Sequence, residues 1–85
     1  AGCARLGIFP GQAWAESVAV IIAAGEAGQS PAAWRIQSVG GKGFYVVFTD
    51  LSGDALAARL AQRRASLVRL VSASVVPERC VGPVK

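Results

Sequence analysis

Four runs with apolar residues at every second position, separated by two runs with helical spacing, make up most of the chain. Their order limits the fold more than any other feature. Cys3 to Phe9 reads CARLGIF, with Ala4, Leu6 and Ile8 alternating with Arg5 and Gly7, as in a strand that buries one face. Pro10-Gly11 breaks the run. In QAWAESVAVIIAAGEAG, the residues Trp14, Val18, Ile21, Ile22 and Gly25 fall on one helical face, and Gly25 or Gly28 is expected to stop the helix. AAWRIQSV, Ala32 to Val39, predicts a strand with Trp34 and Ile36 on one side and Arg35 and Gln37 on the other. The turn GGKG leads into FYVVFTDL, the clearest strand, where Phe44, Val46 and Phe48 oppose Tyr45, Val47 and Thr49. Ser52 or Asp50 is placed to cap a second helix over about Gly53 to Arg64. Its apolar stripe is Leu56, Ala57, Leu60 and Ala61, with Arg59, Gln62 and Arg63 expected in water. SLVRLVSASVV predicts a last strand, bent near Ser72 to Ser74, with Val68 and Leu70 inward and Arg69 outward, ended by Pro77.

The order is β-α-β-β-α-β. Right-handed crossovers turn two such halves into a four-stranded antiparallel sheet with both helices on one face. This α+β arrangement is ferredoxin-like (RNP-like), with strand order 4-1-3-2, so the end of the last strand lies beside the start of the first. Cys3 and Cys80 stand at those two places. A single domain of 85 residues has a small core and gains from a staple. A disulfide between them would close a long loop, contributing on the order of 4 kcal/mol in the chain-entropy model. Two further fates stay open for these cysteines. They can remain free thiols, or Cys3 can carry lipid, because Ala1-Gly2-Cys3 looks like the tail of a bacterial lipobox.

Composition excludes several functions. With 53% hydrophobic and 16% charged residues, the chain is expected to form a packed globule. Its net charge of +4 is short of the dense basic stripe of nucleic-acid binders. There is no histidine, so neither a Ser-His nor a Cys-His pair can be assembled, and two cysteines alone do not make a zinc site. No catalysis, metal or cofactor is expected. Asp50 and Asp54 stand at a helix start, where carboxylates complement the helix dipole. GGKG lacks the spacing of a phosphate loop. The longest apolar run, Val18 to Ala24, is too short to cross a bilayer. The chain begins at Ala1 without methionine, as a mature or excised piece would, so membrane contact is expected only through segments outside it.

With helices on one face of the sheet, the other face is free for a ligand. Period two assigns Arg5, Arg35, Gln37, Tyr45 and Arg69 to it. Tyr45 is the stacking candidate and the arginines are candidate clamps. Trp14 and Trp34 are expected in the core, and Arg59, Arg63 and Arg64 on the solvated side of the second helix. Lys42 to Phe48, KGFYVVF, opens like the strand-three signature of an RNA-recognition domain. Beyond KGF the match fails. Val46 stands where a second stacking aromatic is needed, Arg5 stands where strand one needs its aromatic, and Phe44 belongs to the inward set.

Over most of its length the chain resembles a SPOR domain, the sporulation-related repeat of bacterial envelope proteins. ARLGIF keeps that family's strand-one framework in Leu6, Gly7 and Phe9, AWAE resembles the opening of its first helix, YVVFTDL its third strand and ALAARLAQRRA its second helix. The resemblance implies a non-catalytic module that holds peptidoglycan glycan strands lacking stem peptides on its open sheet face. It implies a periplasmic or extracytoplasmic setting within a membrane-anchored or exported protein. Arg5 replaces the family's strand-one glutamine, Ile8 its serine and Tyr45 its strand-three arginine. The expected partner is cell-wall glycan or an envelope protein, the latter through an assembly domain of the same fold. Nucleic acid is the third and least expected ligand.

Overall fold

The computed structural model describes residues 2–68 and 76–80. Its elements are β1 (Ala4–Phe9), α1 (Gln12–Ala24), β2 (Trp34–Val39), β3 (Gly43–Phe48), α2 (Gly53–Gln62), the short α3 (Arg64–Leu67) and β4 (Val76–Arg79). One four-stranded antiparallel sheet has the order β2-β3-β1-β4, which is the ferredoxin-like order expected from the element pattern. Cys3 and Cys80 are joined by a disulfide with Cα atoms 5.6 Å apart, so Cys3 is neither a free thiol nor a lipid carrier here.

The core lies between the sheet and the helices. Ala4, Leu6, Phe9, Val46 and Phe48 from the sheet meet Ala15, Val18, Ala19 and Ile22 of α1 and Leu56 of α2, all fully buried. Phe44, Trp34 and Ile36 pack against this cluster from partly buried positions. The inward set read for β3 therefore holds. In β1 the alternation slips. A bulge between Leu6 and Phe9 shifts the register with β3, so Phe9 points into the core and Ile8, expected there, is only half-buried.

Helix α1 and its C-cap bury Val18, Ile22 and Gly25 as expected, and Ile21 packs against the core from a partly buried position. Alanines at 15, 19 and 23 line the contact and let the helix approach the sheet closely. Trp14 is displaced to the flank and is 37% exposed, which corrects its placement in the core. Gly25 closes the helix at φ 65°, a conformation that favours glycine. Ser52 caps α2 by accepting the Ala55 N–H. Asp50, the other cap candidate, instead accepts the Ala33 N–H and ties the start of β2 to the end of β3.

Two expectations for the second half are corrected. Ala57 and Ala61 are exposed, while Arg59, expected in water, is buried at 8% exposure. Its guanidinium donates from Nη1 to the carbonyls of Ile22 (3.2 Å) and Ala23 (2.9 Å) and from Nη2 to that of Ser30 (2.8 Å). The last carbonyls of a helix lack full intrahelical partners, and at the end of α1 Arg59 adds to the N–H groups of Gly25 and Ala32, which donate to Ile22 and Ala23. Arg63 is half-buried as well, while Gln62 and Arg64 are exposed as expected.

The second correction moves the last strand. Residues 64–67 are helical because Leu67 continues the spacing of Leu56, Leu60 and Arg63, and Leu67 is buried. Val68, expected in the core, is 73% exposed, and Arg69 and Leu70 lie outside the described residues. Pro77 stands inside β4 opposite Leu6 and does not end it. The Cys80 N–H donates to the Cys3 carbonyl at 3.5 Å, so the residues alternating with Cys80 bond to β1 and position 77 faces outward. A proline is tolerated there because the missing N–H lies on the outer edge of the sheet.

Two stability outcomes are expected. Reducing the disulfide, which links residues 77 positions apart, should lower the melting temperature by more than about 10 °C for a domain this small. Equal melting of the oxidised and reduced forms would contradict it. Arg59→Ala removes three hydrogen bonds, although Ile22 and Ala23 keep the N–H donors of Gly25 and Ala32, and should lose on the order of 2 kcal/mol in urea unfolding. Arg64→Ala should stay within about 0.5 kcal/mol of the parent.

Candidate functional site

The sheet face turned away from the helices carries the candidate site. Strand register arranges it in rows. Arg35 pairs with Val47, Val47 with Arg5, and Arg5 with Glu78, which makes one row across all four strands. Gln37 pairs with Tyr45 in the next row. Arg5, Arg35, Gln37 and Tyr45 are thus brought together as the alternation predicts. Arg69, the fifth candidate, lies outside the described residues.

The centre of the face is a stacked group. Arg5 Cζ sits 4.1 Å from the centroid of the Tyr45 ring, and Arg5 Nε donates to Glu78 Oε2 at 3.2 Å. A guanidinium over a tyrosine face is held by the ring quadrupole, and the carboxylate fixes it from the other side. Tyr45 is half-buried because its ring lies across Gly7, where a methyl group would collide with Cδ1 and Cε1. The glycine that the period-two pattern placed on this face is therefore the bed of the ring. Val47, although no helix among the described residues covers it, is 2% exposed, between the neighbouring arginines of its row. Their aliphatic stems can cover apolar surface while the charged heads stay in water.

Arg35 and Gln37 are exposed, whereas Arg5 shows 21% of its side chain. The group therefore combines one partly neutralised guanidinium, one exposed guanidinium, an amide and a phenol. Such a set donates hydrogen bonds to hydroxyl, acetamido and carboxylate oxygens. It presents a guanidinium plane above the aromatic ring, so Tyr45 is not a bare stacking platform. Phe44 and Phe48 belong to the helix side, so the aromatic pair of an RNA-binding sheet does not stand on this face.

Periodicity does not point to Glu78, because it places strand four over residues 66–76. The signal was in the cysteines. Antiparallel pairing of Cys3 with Cys80 places Arg5, two residues on, opposite Glu78, two residues back.

Among the described residues, no group of three or more Cys, Asp or Glu side chains is placed to hold a metal ion, and no helix is long and apolar enough to cross a membrane. Comparison with protein-family models, curated proteins and solved structures found no match for this chain.

Gly7→Ala is expected to push the Tyr45 ring off β1 and out from under Arg5. Tyr45 is the only tyrosine, so its ring-proton NMR signals report the change directly. The expected result is a shift toward the spectrum of exposed tyrosine. An unchanged tyrosine spectrum would contradict the packing of the ring on Gly7.

Proposed function

We propose that this domain is a non-catalytic binding module of the bacterial cell envelope that holds peptidoglycan glycan on the open face of its sheet. The observation that carries the reading is the Glu78–Arg5–Tyr45 group with Arg35 and Gln37 beside it, on the sheet face that no helix covers among the described residues. A glycan strand without stem peptides offers hydroxyls, acetamido groups and free carboxylates. Guanidinium, amide and phenol groups meet each of these by hydrogen bonds, and an extended sheet face suits an extended strand. The resemblance to SPOR domains points the same way. The disulfide is compatible with an extracytoplasmic compartment, where thiols are not kept reduced. A protein partner is the second reading, favoured by the regular outer edge of β2.

The test is co-sedimentation with purified sacculi, with and without prior removal of stem peptides, against single-stranded RNA as control. Binding is expected to the stripped sacculi, and Tyr45→Ala or Arg35→Ala should each weaken it on the order of tenfold. Binding to RNA alone, or binding to sacculi that survives both substitutions, would overturn the reading.

A further inference from the structure

The two edges of the sheet are built differently. The β4 edge is guarded. Its described part, Val76–Arg79, contains Pro77 and runs into the disulfide. A proline on an edge strand is one of the usual means of blocking edge-to-edge pairing. β2 has none of these. It runs six residues in unbroken register with β3, from Trp34 opposite Phe48 to Val39 opposite Gly43, with no proline and no bulge. Among the described residues no strand lies beyond it.

The backbone of β2 also has a defined outward set. The Thr49 N–H donates to the Ala33 carbonyl at 3.3 Å, so Ala33 and Thr49 form a hydrogen-bonded pair in the β2–β3 register. Alternation then points the N–H and C=O groups of Arg35, Gln37 and Val39 at β3, and those of Trp34, Ile36 and Ser38 at the free edge.

We infer that β2 pairs antiparallel with β2 of a second copy of this chain about a two-fold axis at Ile36. Three registers centre a two-fold axis on a residue near the middle of the strand. An axis at Arg35 sets Arg35 against the partner's Arg35, a like-charge pair that is destabilising directly across a sheet. An axis at Gln37 sets Arg35 against the partner's Val39 and Trp34 against the turn residue Gly40. An axis at Ile36 sets Arg35 against the partner's Gln37 on the open face. On the helix side it sets Ile36 against the partner's Ile36 and Trp34 against the partner's Ser38. Trp34 and Ile36 are half-buried in one copy, so the contact covers what remains of them. The outward groups of Trp34, Ile36 and Ser38 then all find partners.

The product is a continuous eight-stranded sheet in which the two open faces join. Arg35 and Gln37 of each copy lie at the seam, so a long ligand would meet two sites with one dyad. A contact this small is at the low end of specific interfaces, and the dimer is expected at about 0.1 mM chain. The inference does not depend on the glycan reading.

The test is sedimentation equilibrium of the oxidised domain, without glycan, up to about 1 mM. Gln37→Glu should tighten the dimer about fivefold, because each copy then faces Arg35 with a carboxylate, and Gln37→Lys should weaken it by a similar factor. Position 37 is exposed, and unchanged melting curves confirm that each variant is folded; if the lysine variant does not fold, the glutamate variant decides alone. A monomer at every concentration, or a dimer that does not order with the charge at position 37, would overturn the inference.

Discussion

The guanidinium of Arg59 joins the two helices more directly than any apolar contact. It lies on α2 and is spent on the end of α1, where it donates to Ile22 and Ala23, and on the loop beyond, where it donates to Ser30. Buried carbonyls without donors are costly, and a helix that ends over a core has them by construction. Gly25 belongs to the same arrangement. A side chain there would crowd Arg59 Nη1 and the Gln29 side chain, quite apart from its positive φ. Both helices are thereby locked to one side of the sheet, and among the described residues no helix covers the other side.

The open face depends on a second constraint, the register of β1 with its neighbours. The disulfide and the Cys80–Cys3 backbone bond set β4 against β1, and that register brings Glu78 to Arg5. Gly7 gives the Tyr45 ring its bed, and Arg5 covers the ring from above. The group is thus preorganised by backbone pairing on both sides of β1. A binding surface whose side chains are already held loses less freedom when a ligand arrives. Arg35 and Gln37, on the outer strand, remain the adaptable part.

Most of the architecture was legible because periodicity reports burial directly. Period two separated Phe44, Val46 and Phe48 from Tyr45 and Val47, and it brought Arg5, Arg35, Gln37 and Tyr45 to one face. What was not legible has physical causes. An arginine on a helix reads as solvated, since nothing local shows that a distant helix end lacks donors; Arg59 is buried for that non-local reason. The bulge in β1 follows from its pairing with β3, which alternation alone does not encode. The apolar stretch after Gln62 is rich in valine and serine and reads as strand, yet its first residues extend the helical face through Leu67. Helical spacing puts Trp14 on the face of Val18 and Ile22, whereas Ala15, Ala19 and Ala23 fill the contact beside them.

The central claim is that the sheet face opposite the helices is the binding surface. Backbone amide shifts of the labelled, oxidised domain, titrated with soluble glycan fragments lacking stem peptides, test it residue by residue. The account predicts saturable shifts concentrated at Arg5, Arg35, Gln37, Tyr45 and Val47, with α1 and α2 little affected. Shifts centred on the helices, or none at fragment concentrations of about 1 mM, a weak limit for a specific ligand, would contradict it.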